Sequence, residues 1–280
     1  MKNILLAINS AKLEMNAVDF ACYIAQLTHS KLTGVFLENV PEAEIPELKN
    51  IFGNPYVETI VAEDIPENKK KRESAEVNIR NFNEACMNRG VNCCIHRDGR
   101  LPGKEIIAES RYADLIIVNA ETSFEDKIES TPTHFVKDIL INAECPVLIA
   151  PLSFDGIDEI LFAYDGGPSS IFAIKQFTYL FPELANKKVT LLHIDKKEDP
   201  EDHWKEKVGD LIKTHYSHAG FDVLHGKAGE ELFKYLLGKK NVFIVMGAFG
   251  RGMLSSLFKP SAADLVVKVV SLPIFIAHNK

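Results

Sequence analysis

The chain has 280 residues, 46% of them hydrophobic and 25% charged, with a formal net charge of −7. That length can supply two ordinary domains, each with a full core, and the mixture is that of a folded protein. The acidic balance argues against bulk nucleic-acid binding, which needs basic surface to displace counterions.

The N-terminal apolar run is too short for a signal peptide, and no apolar run exceeds strand length, so neither export nor a membrane span is expected. Cys22, Cys86, Cys93, Cys94 and Cys145 form an odd set without a CxxC pair. That fits reduced thiols and a cytoplasmic location.

In chain order, residues 3–10 read as a short buried strand that ends on Asn9 and Ser10. Met15, Val18, Cys22 and Ala25 then recur at spacings of three and four, the period of a helix. Residues 31–36 are strand-like. Residues 38–67 carry Pro41, Pro46, Pro55 and Pro66 around the apolar Ile51 and Phe52. This insertion reads either as a long loop without structure of its own, functional or a contact surface, or as an ordered lid or packing arm with no chemical role.

The basic run at 69–72 reads as the solvated start of a helix, which Gly90 ends before another strand. Cys93-Cys94-Ile95-His96 invites a metal reading, but neighbouring residues of a strand face opposite sides, so the two thiols make a poor chelate. Residues 114–119 form the next strand, Pro132 reads as a helix starter, and residues 145–150 close the segment. His215 and His218 read as sharing a helix face, and without a carboxylate partner they are taken as surface residues.

The same order is then written a second time. Residues 3–10 align with 159–166, and the helical set Ile171, Ile174, Phe177 and Phe181 follows. Residues 31–36 align with 188–193, Gly90-Val91 with Gly220-Phe221, 114–119 with 242–247, and 145–150 with 272–277. The expected organisation is two α/β domains, 1–150 and 159–280, joined by a linker over 151–158. Strands alternating with helices imply a five-stranded parallel sheet in each copy, flanked by helices on both faces. Ligands in such sheets sit beyond the C-terminal strand ends where strand order reverses, so the first and fourth strands should form one cleft per copy.

In the second copy that cleft has a glycine turn, Gly247-Ala248-Phe249-Gly250-Arg251-Gly252, followed by Pro260, Ser261 and a helical pattern. Glycines let backbone approach an anion closely, and a helix N-terminus stabilises its charge. The pattern resembles the universal stress protein family in its tandem form, over nearly the whole chain. The resemblance rests on the strand-turn start of each copy, the glycine signature, and the closing Cys145-Pro146-Val147-Leu148-Ile149 and Leu272-Pro273-Ile274-Phe275-Ile276 strands.

That resemblance implies a flavodoxin-like or adenine-nucleotide α-hydrolase-like fold. It also implies a signature of Gly, two residues, Gly, nine residues, then Gly and Ser or Thr. Gly247, Gly250 and Ser261 fit, and Pro260 stands where the third glycine would be. By the same resemblance, Asp165 contacts the nucleoside, with Ala163 and Tyr164 lining the wall and Ile194 packing beside adenine. Gly247, Phe249 and Gly250 wrap the ribose and phosphates, and Ser261 with the Ala262 N–H holds phosphate oxygens.

Pro260 has no N–H, and losing one charged hydrogen bond of about 1.5–3 kcal/mol weakens phosphate binding roughly ten- to a hundredfold. In the first copy the signature positions are Asn119, Thr122, Pro132 and Thr133, and Asn9 replaces the aspartate. That site reads as degenerate.

The expected function is a stress-response regulatory protein binding an adenine nucleotide, ATP, ADP or AMP, in its second domain. It acts through occupancy rather than as an enzyme, and no base for ATP hydrolysis stands out. No catalytic residue and no metal requirement is read from the sequence. The alternative is a nucleotide-free interaction module of the same fold. In the family the closing strands pair across a two-fold interface; here they are expected to pair within the chain as a pseudo-dimer, with a homodimer a further option. The expected partner is a small-molecule nucleotide, with no nucleic acid and no membrane.

Overall fold

The computed structural model describes residues 1–39, 45–51, 54–60, 66–98, 101–125, 127–195, 203–247 and 271–279. Its first half runs β1 (Asn3–Asn9), α1 (Met15–Leu27), β2 (Lys31–Leu37), β3 (Ile45–Ile51), β4 (Asn54–Ile60), α2 (Pro66–Asn88), β5 (Cys93–Asp98), α3 (Pro102–Glu109), β6 (Leu115–Asn119), α4 (His134–Asn142) and β7 (Val147–Ala150). The second half runs β8 (Glu159–Tyr164), α5 (Pro168–Leu180), β9 (Lys188–Asp195), α6 (His203–His215), β10 (His218–His225), α7 (Ala228–Leu236), β11 (Val242–Met246) and β12 (Ile274–Ile276).

Ten strands make one sheet in the order β10-β9-β8-β11-β12-β7-β6-β1-β2-β5. Within each half the five strands are parallel and follow the same order, third, second, first, fourth, fifth. The halves join through β7 and β12, which pair antiparallel with Leu148 opposite Phe275. The inner strands β1, β6, β7, β8, β11 and β12 are largely apolar because both faces are covered, as parallel sheets require, whereas the edge strands β5 and β10 are mixed and partly exposed. One face, with Ile4, Leu6, Phe162 and Phe243, packs under α1, α2, α5 and α6. The other, with Leu5, Ala7, Ala163 and Ile244, packs under α3, α4 and α7.

α5 shows how such packing arises. Pro168 opens it in the first turn, where a missing N–H costs nothing. Ala173, Ile174 and Phe177 then fall on one buried face. The Phe177 ring lies 4.9 Å from Phe243 and 5.3 Å from Phe275 by centroids, both edge-on. Burying such a side chain stabilises the fold by roughly 1.5–3 kcal/mol.

Strand register confirms the internal repeat residue by residue at four of the five strands. Ala7 pairs with Val118 as Ala163 pairs with Met246, and Ile116 faces Val147 as Ile244 faces Ile274. The third strand departs from the sequence alignment. Leu32 pairs with Cys93 and the equivalent Val189 pairs with Ala219, so Gly220 is the counterpart of Cys94 and not of Gly90. Gly90 turns the chain after α2 at φ +65°, whereas Gly220 lies inside β10.

His215 and His218 do not share a helix either: one ends α6 and the other begins β10. The insertion at 38–67 is not a bare loop, since β3 and β4 form an antiparallel hairpin within it and Pro66 begins α2. Pro46 and Pro55 sit inside those two strands, which pair only with each other among the described residues, so each keeps an edge where a missing N–H is tolerated.

Residues 151–158 are held on both sides. Asn16 Nδ2 donates to the Pro151 carbonyl at 3.2 Å, Phe154 packs its ring against Phe20 and Tyr23, and the Asp158 N–H reaches the Asn241 carbonyl at 2.8 Å. All five cysteines are free thiols. Among the described residues no helix is long and apolar enough to cross a membrane.

Candidate functional site

Strand order reverses between the first and fourth strands of each half, so the clefts lie at the C-terminal ends of β8 with β11 and of β1 with β6. In the second half, β8 ends at Tyr164 and the chain turns sharply into α5. Asp165 Oδ1 accepts the Gly167 N–H at 2.9 Å, Gly166 takes φ +79°, and Ser170 Oγ donates to the Gly167 carbonyl at 2.7 Å. This Asx-type turn aims the first turn of α5 at the strand ends and leaves Asp165 exposed.

Gly247 completes the cleft at the end of β11. A Cβ there would lie 2.6 Å from the Ser170 amide nitrogen and 2.7 Å from the Ser169 carbonyl carbon. Both are backbone atoms, so the glycine is needed for close packing of strand end against helix start.

The other expected contacts divide by face. Ala163 and Ile194 are buried on the α7 side of the sheet, beside Met246. Tyr164 points to the opposite side, into the core under α5 and α6. There its ring lies 5.5 Å from that of His193, whose Nδ1 is 3.1 Å from the Tyr164 carbonyl. The sequence reading did not single out His193; its position one residue before Ile194 on a strand places it on the other face. Burial raises the Tyr164 hydroxyl above its ordinary pKa, with a smaller push from Asp165. Phe249, Gly250, Pro260, Ser261 and Ala262 lie outside the described residues.

The first-half cleft is closed by its own hydrogen bonds. Asn9, the counterpart of Asp165, donates from Nδ2 to the Ser123 carbonyl at 2.7 Å and accepts the Ala11 N–H at 2.9 Å. Asn119, the counterpart of Gly247, accepts the Glu121 N–H at 2.8 Å. The space between Ala7, Asn9, Lys12, Asn119 and Thr122 is ≈ 10 Å³. That is about the volume one water needs, against roughly 300 Å³ or more for a small-molecule site.

α4 begins beside this cleft, but not at the expected proline. Thr133 is the N-cap and accepts the Val136 N–H at 3.3 Å, so Pro132, in a cis peptide after Thr131, precedes the helix. A cap needs a side-chain acceptor just before the first turn, which Thr133 has and proline lacks. Glu129 supplies the charge at this helix start. Its carboxylate accepts the His134 N–H at 3.0 Å and the Ser123 hydroxyl, with His134 Nδ1 2.9 Å away. Burial pushes the Glu129 carboxyl up, but the Ser123 and His134 hydrogen bonds outweigh it and the net shift is downward. An anion of the chain therefore occupies the helix N-terminus, where backbone N–H groups favour negative charge. The signal was present in the sequence as an acidic residue shortly before a helix start, the preference the dipole creates.

No family model matches the chain, and no curated protein matches it in sequence. Solved structures do resemble it. A universal stress protein from Archaeoglobus fulgidus DSM 4304 superposes with a TM-score of 0.66 at 15% identity, over 99% of this chain and 98% of that one. A functionally unknown protein from Pseudomonas aeruginosa PAO1 superposes with a TM-score of 0.58 at 16% identity, over 99% of this chain and 92% of that one. The chain has, along its whole length, the α/β fold of that universal stress protein.

Proposed function

We propose that this chain is a tandem universal stress protein that binds an adenine nucleotide in its second domain. The domains are residues 1–150 and 159–280, and regulation acts through occupancy of the site, not turnover. The observation that carries the reading is the difference in residues at equivalent strand ends, Asp165 and Gly247 in the second half where the first has Asn9 and Asn119. In the second half an exposed Asp165 stands at the switch point beside the α5 N-terminus and the glycine-ended β11. In the first half the equivalent Asn9 is tied across the gap and Glu129 already serves the neighbouring helix start.

The spacing of Gly247, Gly250 and Ser261 supports a phosphate beyond β11, and Pro260 favours AMP or ADP over ATP. Denaturing the purified protein and analysing the released small molecules, with calorimetric titration of ATP, ADP and AMP, tests this. The expected result is one site, weakened at least about tenfold by Asp165→Ala. No released nucleotide together with no heat at millimolar nucleotide sinks the reading.

A second reading, a nucleotide-free interaction module, is favoured by a different observation. β7 and β12 pair antiparallel within the chain, which supports reading the halves as a pseudo-dimer. That pairing covers both fifth strands and leaves β5 and β10 as the outer edges of the sheet.

A further inference from the structure

The outer edge of the first half brings together three groups that neither cleft uses. His96 lies on β5, and Glu105 and Glu109 are one turn apart on α3, the spacing that puts two side chains on one helix face. The ligand atoms of all three lie within 4.8 Å of one another, and each residue is half-buried. His96 Nε2 is 3.7 Å from Glu105 Oε1, too far for a hydrogen bond. This nitrogen is nevertheless shielded from solvent and makes no hydrogen bond among the described residues. A shielded imidazole nitrogen facing a carboxylate across such a gap fits a third atom between them.

We propose that His96, Glu105 and Glu109 form a binding site for a divalent first-row transition-metal ion, completed by water. Nitrogen and oxygen ligands about 2.0–2.1 Å from a tetrahedral zinc lie about 3.4 Å apart, so the 3.7 Å separation of His96 and Glu105 is close to a bound geometry. Rotation of the Glu109 side chain, at the end of its helix, closes the remainder. Two carboxylates neutralise the ion, and the imidazole selects zinc-like metals over magnesium and calcium, which prefer oxygen alone.

The adjacent cysteines play no part. Cys93 Sγ lies 3.7 Å from Asn83 Oδ1 on the α2 side and Cys94 Sγ 3.7 Å from Thr33 Oγ1, so neither joins the three ligand groups. Arg97 next to His96 turns to Glu38 and Glu76. The ion would pin α3 to an edge strand, a place that has a neighbour on one side only.

The test is titration of the chelator-treated full chain with zinc chloride alone, followed by calorimetry and by the visible absorbance of cobalt as a substitute. One saturable equivalent is expected, with a rise in thermal midpoint that magnesium does not produce. His96→Ala and Glu109→Gln should each weaken zinc about tenfold or more, since even changes around a ligand cost that much, while His225→Ala should not. Absence of zinc binding by the wild type overturns the proposal, as does equal competition by magnesium. Unchanged affinity in His96→Ala with a native circular dichroism spectrum also overturns it. Should His96→Ala fail to fold, unchanged affinity in Glu109→Gln does the same and a tenfold loss there supports it.

Discussion

Gly247→Ala separates two roles that the glycine of a nucleotide signature can have. The added Cβ would sit 2.6 Å from the Ser170 nitrogen and 2.7 Å from the Ser169 carbonyl carbon, against a normal contact above 3.4 Å. No side-chain rotation relieves a clash with backbone, so the end of β11 or the first turn of α5 has to move by the better part of an ångström. Overpacking of this kind costs about 1–3 kcal/mol. In a chain of this size that lowers the thermal midpoint by roughly 2–12 °C.

The assay is calorimetric or urea unfolding of Gly247→Ala without any nucleotide, beside Gly238→Ala as a glycine whose Cβ meets nothing within 4 Å but whose φ is +80°. The second variant calibrates backbone strain alone. If Gly247→Ala unfolds with the wild type, the close approach of β11 to α5 is wrong and the packing role of the glycine is refuted.

Further consequences concern the carboxylates of Glu129 and Glu159. Glu129→Ala should cost about 1–2 kcal/mol, the scale of a lost helix cap, and Glu129→Gln should recover part because its amide oxygen still accepts. The folded Glu129 carboxyl titrates below its unfolded value of about 4.3. Its contribution is therefore complete above that pH and lost as pH falls through the lower folded value. The urea-measured gap between wild type and Glu129→Gln should shrink on acidification below about pH 4; a constant gap from pH 7 to 3 would refute the charge argument. Glu159 accepts the Thr190 hydroxyl at 2.6 Å and meets Lys239 at 3.1 Å. Glu159→Ala should therefore lower stability by roughly 1.5–3 kcal/mol in urea, and an unchanged midpoint would show that water replaces those partners.

The repeat and the alternation of strand and helix were legible in the residues, because a short apolar run and a helical period are local properties that burial imposes. Closing strands such as Val147–Ala150 and Ile274–Ile276 were recognisable for the same reason. The two faces of a strand covered on both sides were not legible, and Ala163 and Tyr164 part only in the structure. The third strand was misaligned by four residues because Gly90 and Gly220 look alike in one dimension. Only the hydrogen-bonded register shows that one turns the chain and the other lies in a ladder. The insertion left a bare loop and an ordered arm equally open, since its prolines suggest a loop while a two-stranded ribbon tolerates them; the β3–β4 pairing favours the ordered arm.

At the sites the division is sharper. The family resemblance singles out Asp165 and the glycine turn after an apolar strand singles out Gly247, both visible in sequence. Sequence alone could not show that Gly247 is opposed by the backbone of Ser169 and Ser170, or that Glu129 reaches the start of α4. Nor could it bring His96 to Glu105 and Glu109, which meet only when α3 folds back on the sheet edge. Sequence determined which elements form, since periodicity and turn chemistry act within a few residues. Tertiary structure decided how Asn9 and Asn119 are tied in the first-half cleft and which charges meet, since those depend on contacts between segments far apart in the chain.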